Sequence, residues 1–319
     1  MSSIPTIATH SGSFHADDVF GVGVLMGVLP AYSLVRTRNA ERIAAADFAV
    51  DVGGIWDAAS GRFDHHQRGF DGARAPRASD GVSVTYASAG LVWSAHGAAY
   101  VQQLAKAAGY TLDAQAVLDT VQSIDHSLVQ YLDMVDTGQG DVAPGLFGLS
   151  SLIAQLNTNW MEEGGLSADN KAALQETRFL EAIGITRTFL DRAIIKKISQ
   201  IRSMEIVRNA PTLLGGKVLH LQEGGMPWSR VVAEEMPEVL LVIYPDSDGD
   251  QYQVKTVPVE PGSFTSRMDL PASWAGLRDA ELAAVSGVAD SVFCHNNLFI
   301  CGARSLEGAI ALATKALAA

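Results

Sequence analysis

Cysteine is almost absent. Cys294 and Cys301 are the only two in 319 residues, which excludes a disulfide-stapled secreted scaffold and fits a reducing compartment. On a single strand their side chains would point to opposite faces and could not bridge. Long apolar runs are missing as well. The longest, Val239 to Tyr244, is far too short to span a bilayer, and Met1 to Ser13 has neither the basic start nor the apolar run of a secretory signal. A soluble, cytoplasmic protein is expected. Basic residues are scarce: 23 Lys and Arg stand against 35 Asp and Glu, a formal net charge of -12, which argues against a broad cationic face for duplex DNA or RNA. That charge is compatible with a short or single-stranded nucleic acid.

What is present is a large apolar fraction, 48% of residues, enough for a sizeable core, and at about 150 residues per domain the length suggests two domains. Ile4 to Ala8 is a short apolar run entering a turn at His10, and Val19 to Leu29 continues as a buried helix. Strand, polar turn, helix is how open α/β sheets bind at the carboxyl ends of their strands. Tyr32 to Arg36 reads as a second strand, Asn39 caps a short helix through Ala46, and Phe48 to Asp51 delivers Asp51 into the Gly53-Gly54 turn. Arg62 to His65 repeats the pattern. From Ser83 the texture is helical, over Ser83 to Trp93, Ala98 to Ala108 and Asp113 to Asp133, with Ala87, Ala89 and Gly90 small enough for close approach to the sheet. Asp169 to Arg202 is long enough for a spacer helix between domains. Beyond it, Glu205 to Val207, Lys217 to Leu221, Val239 to Tyr244 and Gln253 to Val257 read as strands, with turns at Gly215-Gly216 and Asp246 to Asp250. Gly69 to Asp80 reads as a mobile surface loop.

Three clusters near the start carry side chains that a divalent ion selects: Thr9 to Asp18 with His10, His15, Asp17 and Asp18; Val50 to Gly54 with Asp51; and Phe63 to Arg68 with Asp64, His65 and His66. A fourth, Leu132 to Gly138, adds Asp133 and Asp136. Burying such charge at strand ends costs several kcal/mol unless it is paired or bound to metal. Adjacent residues at a strand end diverge, so one of His65 and His66 is expected to face an ion and the other a substrate, with Asp64 orienting an imidazole. Either Asp17 or Asp18 can be a ligand while the other caps the helix. Asp51 has two oxygens at a strand end and suits a bridge between two ions. Imidazole and carboxylate without thiolate suit Mn²⁺, Mg²⁺, Co²⁺ or Zn²⁺, and a pair of such ions serves phosphoester hydrolysis.

These motifs resemble the four metal motifs of the DHH phosphoesterase superfamily. More closely, Thr9 to Asp17, Val50 to Gly54, Phe63 to Arg68 and Ser88 to Val92 are similar to the melanocyte proliferating gene family. The similarity continues through Leu156 to Trp160, Gly225 to Trp228, Leu270 to Arg278 and Cys294-His295, and so covers nearly the whole chain. The resemblance implies an α/β fold with a mostly parallel sheet in a DHH-type catalytic domain, residues 1–190, followed across a cleft by a linker helix and a smaller α/β substrate domain, residues 191–319. It implies that His10, His15 and Asp51 hold one ion and that Asp17, Asp51, His65 and Asp136 hold the other, both most simply Mn²⁺. His66 would contact the scissile phosphate and Asp64 would support the ligands, which makes Asp51, Asp64 and His66 the catalytic set. The implied activity is a 3′-5′ exonuclease on short single-stranded RNA. A nucleotide or cyclic-dinucleotide phosphodiesterase, and a metal-dependent regulatory protein without turnover, are the alternatives.

The second domain departs from the family pattern in places: Ser229-Arg230 follows Met226-Pro227-Trp228 where a Lys is usual, and Asn296 to Phe299 replaces a smaller segment. Arg230, Lys255, Arg267, His295 and Arg304 are the groups there best suited to a phosphate, and Trp228 and Phe299 to a base, although each cation taken singly is an ordinary surface charge. The expected partner is a short single-stranded RNA or oligonucleotide, with no membrane and no broad duplex DNA surface, and a homodimer is left open.

Overall fold

The computed structural model describes residues 4–140, 143 and 145–319, and the chain divides into two compact units, Met1–Ile198 and Ser199–Ala319. The first unit opens with β1 (Thr6–Thr9), α1 (Ala16–Val28), β2 (Ser33–Arg36), α2 (Ala40–Ala45), β3 (Phe48–Val50), β4 (Trp56–Asp57) and β5 (Arg62–Phe63). Its sheet has the order β2-β1-β3-β5-β4, parallel from β2 through β5 with β4 antiparallel at the edge. Ile7, Ala8, Ala49, Val50 and Phe63 are fully buried, the pattern of parallel strands covered on both faces. Asn39 caps α2 by accepting from Arg42 N at 3.0 Å. Gly21 lets α1 approach the sheet and its neighbour helix, since a Cβ there would meet Val50 Cγ1 at 2.9 Å and Val92 Cγ2 at 3.3 Å.

Helices complete this unit: α3 (Ser88–Ala107), α4 (Ala114–Ile124), α5 (Gln130–Asp136), α6 (Leu149–Ala154), α7 (Trp160–Glu163) and the 41-residue α8 (Ala168–Arg208). The stretch expected as two helices from Ser83 is the single α3, begun at Ser88. Between α4 and α5 lies a π-helical turn, Asp125–Val129, a feature frequent at functional sites. The segment Gly69 to Asp80, expected to be a mobile loop, is anchored. Arg74 reaches Asp125 through two bonds of 2.8 and 2.6 Å and Asp133 at 2.7 Å, and its guanidinium lies 4.4 Å from the Tyr86 ring. Gly90 serves this network more than the sheet: its N–H donates to Asp133 at 3.0 Å, and a Cβ at that position would collide with the same carboxylate.

The second unit begins in the last turns of α8. Glu205 to Val207, expected as a strand, are helical; Val207 is fully buried in a core shared with Leu219 and Val231, and Arg208 holds the helix end through paired 2.6 Å bonds to Glu235. There follow β6 (Thr212–Leu213), β7 (Val218–His220), α9 (Ser229–Glu235), β8 (Leu241–Pro245), β9 (Tyr252–Thr256), α10 (Asp279–Ser286), β10 (Ser291–Cys294), β11 (Ile300–Ala303) and α11 (Leu306–Leu317). The sheet order is β10-β11-β9-β8-β7-β6, with only β7 and β8 parallel. Cys294 and Cys301 are not on one strand: they face each other across β10 and β11 as buried free thiols. Among the described residues no helix is long and apolar enough to cross a membrane.

Candidate metal centre

The carboxyl end of the first sheet gathers the polar residues that the sequence singles out. Asp51 follows β3 with φ +55°, a left-handed conformation that Asp tolerates better than bulkier residues. That bend leaves its side chain only 3% exposed at the strand end, where His10, His65 and His66 converge on it. His10 Nε2 stands 3.3 Å from Asp51 Oδ2 and 3.2 Å from Asp18 Oδ2. His65 Nδ1 and His66 Nδ1 lie 3.7 and 3.3 Å from Asp51 Oδ1. The expected divergence of His65 and His66 therefore fails. β5 ends at Phe63, strand alternation no longer applies beyond it, and the two rings tilt against each other with centroids 4.1 Å apart.

Asp64 is a bracket. Its Oδ2 accepts from Gly54 N at 2.6 Å, while Oδ1 accepts from His66 N at 3.0 Å and contacts His66 Nδ1 at 2.8 Å, so it fixes the His66 ring and the Gly53-Gly54 turn together. Asp18 takes the capping role considered for it: Oδ1 accepts from His15 N at 2.8 Å at the start of α1, while Oδ2 faces His10. Asp136 ends α5 and places Oδ2 3.2 Å from His65 Nε2 and Oδ1 4.0 Å from His15 Nδ1.

Three groups of ligand atoms lie within 4.8 Å of one another: Asp51, Asp64, His65 and His66; His10, His15 and Asp51; and His15, Asp17 and Asp136. They share Asp51 and His15 and so form one continuous centre. Its fit to cations is tested by Asp17, whose two carboxylate oxygens are buried without a hydrogen-bond partner. Burial, then the charges of Asp51, Asp136 and Asp18, push the Asp17 carboxyl well above its ordinary range. Burial also drives Asp18 up, to about 7. Bare buried oxygens among like charges cost several kcal/mol unless a cation neutralises them, so the donor set fits one or more hard or borderline divalent ions. Burial opposes charge on His10 and His65, yet hydrogen bonds to Asp51 and Asp136, together with the nearby carboxylate charges, raise both. For Asp51 burial is outweighed in the other direction, by the His10 hydrogen bond and the imidazole charges, which lower it.

Ser88, Arg38 and Arg74 join the site although the sequence does not mark them. Ser88, fully buried at the start of α3, donates to Asp51 Oδ1 at 3.2 Å and lies 3.3 Å from His65 Nδ1. Its single proton being given to Asp51, it accepts from Nδ1–H of His65, while Nε2 faces Asp136 at 3.2 Å. Arg38 approaches His10 Nδ1 at 3.4 Å and donates to Ser11 O at 3.3 Å. Arg74 and Asp133 brace the helix that carries Asp136. Ser88 stood in a family-like segment, but nothing local marked its hydroxyl.

The second-unit candidates fare unevenly. Arg267 donates to the carbonyls of Met236, Val239, Val232 and Ala233; both terminal nitrogens are occupied in holding the end of α9 and the chain after it, and its reading as a phosphate ligand loses its support. Trp228 is 6% exposed, packed with Tyr244 in the core, and is not available to stack on a base. Arg230 is exposed and paired with Glu234. Arg304 lies 3.6 Å from Asp279. His295 is exposed, with its ring 4.5 Å from Phe299 and the Lys255 ammonium 5.9 Å from the same ring.

An α/β sheet with a carboxylate–imidazole centre at its carboxyl end defines the class. The family model MYG1_exonuc, described as "Uncharacterised protein family (UPF0160)", matches residues 6–317, and the chain belongs to that family. It is 34% identical to the MYG1 exonuclease of Mus musculus over 98% of this chain and 85% of that protein. To MYG1 protein C27H6.8 of Caenorhabditis elegans it is 32% identical over 98% and 94%. A crystal structure of exonuclease RecJ bound to manganese is similar at 14% identity over 98% of this chain and 89% of the other, with a TM-score of 0.25, too weak to bear on the chemistry.

Proposed function

We propose that this chain is a metal-dependent nuclease whose substrate is short single-stranded RNA, cut from the 3′ end. The observation that carries the reading is the continuous centre around Asp51, with the unpartnered Asp17 oxygens as the clearest sign that it suits a cation. The exonuclease name of the mouse relative supports the reaction class. His10, His15 and Asp51 would hold one divalent ion and Asp17, Asp51, His65 and Asp136 a second, with Mn²⁺ favoured. Bound ions of this kind activate water and neutralise charge on a phosphoryl group.

The remaining work belongs to the side chains. Ser88 and Asp64 set the imidazoles of His65 and His66 before substrate arrives, which avoids reorganisation during the reaction. The His66 side chain is 62% exposed with its Nδ1 held by Asp64, so Nε2 is the atom presented to a phosphate oxygen. In the second unit the exposed His295, with the half-buried Phe299 and Lys255 beside it, is the candidate for further nucleotide contact. Purified protein incubated with Mn²⁺ and end-labelled RNA and DNA oligomers, mononucleotides and cyclic dinucleotides tests the reading. Stepwise shortening of RNA from its 3′ end is expected. Cleavage of mononucleotides or cyclic dinucleotides alone would replace the exonuclease reading with a phosphodiesterase, and the absence of any turnover would favour a regulatory role.

A further inference from the structure

The most exposed tryptophan of the chain sits on a segment bonded directly to the metal loop. Trp160 is 81% exposed, whereas Trp93, Trp228 and Trp274 are buried. Leaving an indole in water forgoes apolar burial worth about 25 cal/mol per Å², and a flexible segment would let it fold back. This segment is not free to do so. Asn157 pairs with the backbone of Phe14 in both directions: its Oδ1 accepts from Phe14 N and its Nδ2 donates to Phe14 O, each at 2.8 Å. Phe14 immediately precedes His15. On the other side of Trp160, Glu163 Oε1 accepts from Thr158 Oγ1 at 2.5 Å and from Gln175 Nε2 at 2.7 Å.

The frame closes on itself. Gln175 O accepts from Arg36 Nη1 at 3.2 Å, and Arg36 Nη2 donates to Gly12 O at 2.6 Å, so the metal loop is gripped at Gly12 and at Phe14 by the two ends of one bonded ring that displays Trp160. Two residues separate Trp160 from Asn157, so its backbone lies within about 11 Å of chain of the residue bonded to the loop that carries His10 and His15. Of the neighbouring carboxylates, Glu162 faces the Arg178 guanidinium at 3.4 Å, while Glu163 stays anionic under the bonds just given.

We infer that Trp160 is a stacking platform for a base of the oligonucleotide substrate, holding it while a neighbouring phosphodiester lies at the metal centre. This rests on the nuclease reading and adds to it where the first base is held. An aromatic face accepts any base, so the contact selects for a nucleobase without selecting its identity.

The test compares the full-length protein with W160A and W160F. A labelled, phosphorothioate-linked short oligoribonucleotide and versions of it carrying an abasic residue at each position in turn are bound in the presence of Mn²⁺. W160A is expected to weaken binding by about tenfold or more, and W160F to recover most of the loss. One abasic position should weaken binding to the parent protein but not to W160A, a non-additivity that a purely structural role for Trp160 would not produce. Equal affinity of parent and W160A for the intact oligomer overturns the inference, and leaves the nuclease reading standing if the parent still shortens cleavable RNA. A parent protein that neither binds nor cuts any oligomer overturns both. A change in oligomeric state in W160A with unaltered oligomer affinity also overturns it and makes Trp160 a self-association residue.

Discussion

Asp136 Oδ2 lies 3.2 Å from His65 Nε2, which ties the last turn of α5 to the loop after β5. The contact exists only because the structure supports it from both sides. Ser88 fixes the His65 ring, and Asp133, a turn before Asp136, is locked to Arg74 and Gly90. Residues remote in sequence thus set the position of two candidate ligands.

Asp51→Asn is expected to leave the fold intact and to abolish function. Asn accepts the left-handed backbone at φ +55° as readily as Asp, while the charge and one of the two acceptor oxygens are removed. Circular dichroism should be nearly unchanged, while bound metal and turnover fall, turnover by at least about a hundredfold. Activity within tenfold of the parent with metal retained would contradict the bridging role.

Arg74→Met should be costly although Arg74 binds no ligand. Its side chain is 9% exposed and Asp133 is fully buried, so the substitution strands a buried carboxylate, a loss of about 3–5 kcal/mol. Denaturant titration measures it. A loss below about 1 kcal/mol would show that the network does not hold the Asp136 helix.

His66→Ala separates substrate contact from metal binding. Metal content should persist while kcat falls by about a hundredfold, the usual cost of one charge-stabilising donor. Loss of metal on analysis of the purified variant would make His66 a ligand, as its proximity to Asp51 also permits.

Metal-free protein should lose stability as pH rises. Asp17 and Asp18 are raised above the ordinary 3.8, Asp18 to about 7, and His10 and His65 above 6.5. A group raised on folding stabilises fully below its unfolded pKa and loses that contribution as pH climbs through the folded value. The decline therefore runs from about pH 4 through neutrality. Divalent metal competes with these protons, so its affinity should rise over the same range. Thermal melts with and without Mn²⁺ should show a gap that widens with pH, and a gap independent of pH would contradict the ligand assignment.

Local pattern made β1, β3, α2 and its Asn39 cap legible, and it placed His10, Asp51, Asp64, His65, His66 and Asp136 at strand and helix ends. What stayed hidden depends on distant contacts. Ser88 gains its role from Asp51 and His65, and Arg74, in a stretch that reads as loop, from Asp125 and Asp133. Arg267 looks like a free cation until the carbonyls at and after the end of α9 surround it. Trp228 looks like a platform until Tyr244 and the core close over it, while Trp160, noted only as part of a family-like segment, remains open.

Soaking Mn²⁺ into crystals of the protein and locating it by anomalous scattering tests the central claim most directly. The account predicts two peaks flanking Asp51, one near His10 and His15 and the other near Asp17, His65 and Asp136. No peak at these residues, or peaks only on the surface away from Asp51, would contradict it.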